Sequence, residues 1–177
     1  MRRSSLRCLV SVFFALACVG VPTAISARME AQKAKKPTGL TAREGLPAAD
    51  AEARKWQTDA VLTLVESSTA LPDGRAYSWL YLFDSPKARQ QTAVLVDEKG
   101  QASTAPSGTV FKTPVGDFVD SDRAMAEAIK NGLQTHEWGM TVSLKKYDRA
   151  EWRFLDKTHF YYVDAGTGRF LRKESTD

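Results

Sequence analysis

The sequence predicts an α+β protein: two repeated units, each with one helix packed on an antiparallel β-sheet, behind a signal peptide and a flexible linker. Three observations carry that expectation. A helix-forming window is followed by strand-length runs twice in the chain. The C-terminal third holds four short runs separated by tight turns, which implies an antiparallel meander. A Val-Asp pair closes a strand ahead of a glycine turn at Val96-Asp97 with Gly100, and again at Val163-Asp164 with Gly166 and Gly168.

The elements follow in order. Residues 1–27, "MRRSSLRCLVSVFFALACVGVPTAISA", place arginines ahead of an apolar run from Leu9 to Val21 and then small residues. The run is short for a bilayer span and no charged flank follows it, so the layout is a secretory signal peptide. Cleavage after Ser26 sets Ala24 and Ser26 at the small-residue positions, and cleavage after Ala27 is the alternative. A twin-arginine signal at Arg2-Arg3 and an atypical lipoprotein signal at Cys18 fit less well. The first lacks its aromatic, and the second is followed by more apolar sequence. Export implies a periplasmic or secreted location in a bacterial envelope, with no stable membrane span after cleavage.

Residues 28–47 are rich in Lys, Ala, Pro and Gly without apolar periodicity and read as a linker. The first unit is expected over 48–115. Its helix, Ala48 to Ser67, sets Ala53, Trp56, Ala60 and Leu64 three and four residues apart, with Val61 and Val65 widening the stripe. Pro72 and Asp73-Gly74 end it. "RAYSWLYLFDS" and "QQTAVLVDE" are then rich in aromatic and β-branched residues at strand length. A turn at Lys99-Gly100 leads to a short strand near Thr109 to Lys112. The second unit is expected over 116–177. Its helix, "SDRAMAEAIKNGL", starts at an Asp120 or Ser121 N-cap and stops at Asn131-Gly132. Four strands follow: "WGMTVSLKKY", "AEWRFLD", "HFYYVD" and "RFLRK". Trp79 with Phe83 is expected to match Trp152 with Phe154.

Charge and cysteine usage exclude several classes. The chain has 25 basic and 21 acidic residues, and Arg2, Arg3 and Arg7 leave with the signal. From Ala48 onward 17 basic residues face 19 acidic ones, so the fold offers no basic nucleic-acid face. Cys8 and Cys18, the only cysteines, lie in the signal. The mature chain therefore has no disulfide, thiolate metal site or cysteine nucleophile. Neither His136 nor His159 has a second ligand at helical or hairpin spacing, and no G-x-S-x-G elbow occurs. Asp117, Asp120 and Asp122 precede a helix, where carboxylates serve as caps. No catalytic residue, cofactor or metal is expected.

The run "YYVDAGTGRFL", with the preceding helix "AMAEAI" and strand "AEWRFL", resembles the closing part of PepSY domains over Ser121 to Lys173. Residues 48–103 match that pattern loosely, since Asp97-Glu98-Lys99-Gly100 replaces the signature turn. The resemblance implies a PepSY/cystatin-like two-layer fold and a non-catalytic secreted or envelope module. PepSY domains occur in propeptides of secreted zinc metallopeptidases and as stand-alone exported proteins. With no peptidase of its own, this chain resembles the stand-alone kind. The architecture is also similar to that of secreted β-lactamase inhibitor proteins, without their disulfides. The expected partner is therefore another protein, a peptidase among the candidates.

The aromatics are the candidate interaction residues. Trp79, Tyr81 and Phe83 alternate along one strand, Trp152 and Phe154 along another, and Phe160 and Tyr162 oppose Tyr161. One set must pack under the helix. The other set lies open as a partner face or is buried between the units. The rival function is a carrier holding a small apolar ligand in a cavity between helix and sheet, lined by Trp56, Trp79 and Trp152. Asp97, Gly100, Asp164, Gly166 and Gly168 shape turns rather than a site.

Overall fold

A computed structural model describes residues 38–107, 113–136 and 139–177. The expected signal peptide, linker residues 28–37 and the strand at 109–112 lie outside the described residues. The elements are α1 (Ala42–Trp56), β1 (Val61–Ala70), β2 (Ser78–Ser85), β3 (Gln90–Asp97), β4 (Ala102–Pro106), α2 (Ser121–Lys130), β5 (Met140–Lys146), β6 (Ala150–Leu155), β7 (His159–Asp164) and β8 (Phe170–Ser175). The strands form one antiparallel eight-stranded sheet in the order β4-β3-β2-β1-β5-β6-β7-β8. The expected α+β class and antiparallel pairing hold. The two strand sets join into a single sheet along the β1–β5 seam rather than forming separate ones.

The first helix lies earlier than its apolar spacing predicts. Thr41 opens it through a capping box. The Thr41 hydroxyl accepts from the Glu44 N–H at 3.2 Å, and the Glu44 carboxylate accepts from the Thr41 N–H at 2.9 Å. Residues 38–47 thus begin the fold, and Pro47 sits inside the helix. The chain leaves the helix at Gln57, in extended conformation, and Val61–Ala70 is a strand instead of the helix's second half. A bulge between Leu62 and Leu64 leaves Thr63, Leu64 and Val65 buried in succession. With that bulge the central strand shows no clean alternation. With Trp56 and Ala60 before it, the run imitates a helical stripe. After the Gly100 turn the described strand is Ala102–Pro106.

Cross-strand partners share a face, so the register defines which side chains meet the helices. One rung runs Thr104, Val94, Tyr81, Val65, Leu144, Trp152, Val163. Both helices pack on this inner face. The Tyr81 hydroxyl donates to the Ala42 carbonyl at 2.7 Å, and the Tyr161 hydroxyl donates to the Gly132 carbonyl, just past α2, at 2.9 Å.

The two indoles anchor the two helices in the same way. Trp79 Nε1–H donates to the Leu40 carbonyl at 2.7 Å, and Trp152 Nε1–H donates to the Val119 carbonyl at 2.9 Å. Each carbonyl belongs to the residue just before an N-cap, Thr41 or Asp120. By this placement Trp79 and Tyr81 match Trp152 and Phe154, a two-residue correction to the pairing of Phe83 with Phe154. The rings meet edge-on, with centroids 6.2 Å apart, and Phe118 closes on Trp152 at 5.8 Å. Burying each indole stabilises the fold by up to about 4–6 kcal/mol.

The helix starts also meet. The Asp120 carboxylate accepts from its neighbour's N–H, Ser121, at 2.7 Å, from the Arg43 N–H at 2.9 Å and from the Thr41 hydroxyl at 2.6 Å. The Ser121 hydroxyl accepts from the Ala42 N–H and donates to the Gly74 carbonyl. One acidic side chain thereby serves donors at the starts of both helices.

Candidate functional site

Six of the eight candidate aromatics lie under the helices. Trp79, Tyr81, Phe83, Trp152, Phe154 and Tyr161 are fully buried on the inner face, at 0–1% exposure. They form a shared core and present no surface. Burial pushes the Tyr81 hydroxyl far above its ordinary range, so it stays a neutral donor to Ala42. Phe160 and Tyr162 point to the opposite face, as the alternation requires.

No described helix packs on that outer face, and the register spells out its composition. One rung runs Ser103, Leu95, Leu80, Glu66, Ser143, Arg153, Tyr162, Arg172. The next runs Ala105, Ala93, Leu82, Leu64, Lys145, Glu151, Asp164. In these rungs β1 to β4 are apolar apart from Glu66 and Ser103, and β5 to β8 are mostly charged.

The apolar half is Leu64, Leu80, Leu82, Ala93 and Leu95, with Leu95 at 45% exposure. The charged half is tied together. Arg172 forms a bidentate pair with Glu151, at 2.9 and 3.0 Å, and donates from Nε to Glu174 at 2.6 Å. Its guanidinium lies 3.8 Å from the Tyr162 ring centroid, and Arg153 lies 4.9 Å from that of Phe160. The Glu151 hydrogen bonds hold the Arg172 guanidinium firmly protonated, and the Arg172 bond draws the Glu174 carboxyl below its usual range. Burial, helped by a hydrogen bond with Glu174, raises the Tyr162 hydroxyl.

The turn residues do what their types require. Asp97 accepts from the N–H groups of Lys99 and Gln101, and Gly100 turns with φ 79°. Asp164 accepts from the Thr167 N–H and hydroxyl, and Gly168 turns with φ 74°. Gly166 is exposed and needs no special backbone. All five shape hairpins.

His159 Nδ1 lies 2.7 Å from the Thr158 hydroxyl and 3.9 Å from the Asp156 carboxylate. An acid–base relay divides base and orienting acid between the two ring nitrogens, whereas here both contacts fall on one. His136 is half-buried. Among the described residues no three His, Cys, Asp or Glu side chains converge where a metal could bind, and no helix is long and apolar enough to cross a membrane. Asp120 is the N-cap of α2, as its position ahead of the helix predicts.

Sequence reasoning missed the outer-face leucines, although "WLYLF" carries the signal. A strand apolar at every position is apolar on both faces, so its second face needs a cover. No known protein family, curated protein or solved structure matches this chain.

Proposed function

We propose that the chain is an exported, non-catalytic binding module that docks on another envelope or secreted protein, a peptidase being one such partner. The observation that carries this is the outer face of the sheet. Both helices cover the inner face, and the outer one keeps Leu80, Leu82 and Leu95 beside a preordered set of charges. Apolar centre and polar flank are the composition of a protein interface. The signal-like N-terminal sequence and the PepSY-like "YYVDAGTGRFL" support the compartment and the module type. We read the two strand sets as copies of one helix-plus-sheet unit, near 48–115 and 116–177, with the first reaching back to Thr38. The matched indole anchors support that reading.

The rival carrier needs an apolar cavity among Trp56, Trp79 and Trp152. Against it, Trp79 and Trp152 are fully buried and in edge-on contact. The test is capture of exported partners by the wild type, by Leu80→Glu with Leu95→Glu, and by Arg169→Glu as a surface control away from the face. A partner lost with the double variant and kept with the control is expected. The same partner recovered with all three, or no partner and a small molecule in native mass spectrometry, would overturn the reading.

A further inference from the structure

We propose that β4, an edge strand of the sheet, pairs antiparallel with β4 of a second copy of the chain, so that two sheets join into one. The contact uses the rim and leaves the outer face open, so it does not depend on the docking reading above.

The two edges of the sheet are unlike. β8 closes one side with Arg172, Lys173 and Glu174 exposed in succession, a common guard against strand addition. β4, Ala102–Pro106, carries no charged side chain, and Ser103, Thr104 and Ala105 are exposed.

The hairpin into β4 defines which of its main-chain groups face outward. Asp97 N–H donates to the Gln101 carbonyl at 3.0 Å. Bonded and non-bonded pairs alternate along an antiparallel ladder, so Ser103 and Ala105 turn their main-chain groups toward Leu95 and Ala93 of β3. The Ala105 carbonyl accepts from the Thr92 hydroxyl of β3 at 3.4 Å, which agrees with that direction. Ala102, Thr104 and Pro106 point the other way, where no strand lies among the described residues. Proline has no N–H, so the outward donors are those of Ala102 and Thr104.

A two-fold register centred on Ser103 uses both donors. Ser103 then stands opposite Ser103 of the second copy, and Ala102 opposite its Thr104. Ala102 and Thr104 exchange N–H and C=O across the axis, and the symmetry repeats that exchange. The Pro106 nitrogen falls beyond these bonds and costs none of them. Serine meets serine on the outer face and alanine meets threonine on the inner, all small and uncharged. The outer rung Leu80, Leu95, Ser103 runs on into Ser103, Leu95 and Leu80 of the second copy, so the two leucine-bearing halves adjoin. A foreign strand would find the same main-chain groups, but the small side chains of β4 give it little to select for, whereas the two-fold contact makes every interaction twice.

A pairing this short buries less than a standard interface, so the dimer is weak. Sedimentation velocity of the purified chain from about 5 µM to about 1 mM is expected to show a monomer–dimer equilibrium with Kd of about 100 µM. Ser103→Lys sets like charges against each other at the two-fold axis and should weaken the dimer at least tenfold. Thr104→Pro removes an outward donor that β3 does not use and should do the same. Ser103 is exposed, so its variant remains informative should the proline variant unfold. In ¹⁵N spectra the Ala102 and Thr104 amides should shift with concentration and exchange more slowly with solvent in the dimer. A chain that stays monomeric throughout the range would overturn the proposal. So would a dimer indifferent to both edge variants, or one lost with Leu80→Glu while both keep it, which would mean face-to-face association. Ala102 and Thr104 amides already protected in the dilute monomer would overturn it too, because the edge would be occupied within the chain. Protection of those amides only by a captured protein would give the edge to that protein's strand instead.

Discussion

The four strands on either side of the β1–β5 seam are built alike on the inner face and unlike on the outer. Inside, each half has an indole that donates to the carbonyl just before its helix's N-cap. Outside, β1 to β4 display mainly leucine and alanine around Glu66, whereas β5 to β8 display Arg153, Arg172, Glu151 and Glu174. The inner face must exclude water and hold a helix, and few solutions do both. The outer face carries no described helix in either half, so its composition is free to differ. Shared features therefore belong to folding, and the proposed docking role rests on the unshared ones.

The largest effect tests the shared part. Trp79→Ala and Trp152→Ala should each lower stability by about 3–5 kcal/mol in urea melts. The Trp→Phe versions should cost about 1–3 kcal/mol through lost ring area and one lost hydrogen bond each, and less at Trp79, because the Leu40 carbonyl keeps the Ala76 N–H as a donor. The rings touch, so the double alanine variant should cost less than the sum of the singles. Strict additivity, or one tryptophan that proves silent, would mean the halves do not share an anchoring plan.

Next in size is the junction between the halves. An N-cap contributes about 1 kcal/mol, and Thr41→Ala, which gives up its cap to Glu44 and one hydrogen bond to Asp120, should cost about 1 kcal/mol. Asp120→Ala removes acceptors from donors at the starts of both helices and should cost about 2 kcal/mol. Equal losses at the two positions would show that Asp120 serves α2 alone.

How much of this was legible in the sequence follows the same division. The second half was read nearly residue by residue, because α2 has a cap, a stripe and a glycine stop, and its strands are cut by turns. The first half was misread where context overrode pattern. Val61, Leu64 and Val65 continue the helical spacing of Trp56 and Ala60, yet they form the central strand, where a bulge breaks the alternation. The start of α1 was readable as Thr41-x-x-Glu44, a capping box, but lay hidden in a segment whose lysines and prolines resemble a linker. At the candidate site, the burial of Tyr81 and Tyr161 and the outward direction of Phe160 and Tyr162 follow from alternation. The outer leucines do not, since only the final strand order shows that no described helix covers them.

The two closing turns allow a finer comparison. A Cβ at Gly100 would meet nothing within 4 Å, so Gly100→Ala should cost only the left-handed backbone penalty, about 1 kcal/mol. At Gly168 the same atom would lie 3.0 Å from Arg123 Nε and 3.5 Å from Val119. Gly168→Ala should therefore cost about 2 kcal/mol and loosen the contact between the β7–β8 turn and α2. Gly166→Ala, at ordinary φ, should fall within about 0.5 kcal/mol of wild type. Thermal melts that rank the three otherwise would show that the turn is not docked as described.

A small effect at neutral pH is expected at Asp164, and its signature lies in acid. Burial alone would raise this carboxyl, but hydrogen bonds from the Thr167 N–H and hydroxyl and the Gly166 N–H outweigh it, so the group sits below its ordinary value. A carboxyl depressed in the folded state adds stability above its unfolded pKa of about 3.9, and that contribution disappears as pH falls through the folded value. Asp156 acts in the same direction: burial opposes, and the N–H groups of Thr158 and His159 prevail. Asp164→Asn keeps an oxygen that can accept from Thr167, so stability at pH 7 should change by less than about 1 kcal/mol. Below about pH 4 the variant should lose stability less steeply than wild type, because one proton-linked site is gone. Parallel acid limbs for the two proteins would remove Asp164 from the acid response and leave its turn held by Gly168 and the backbone alone.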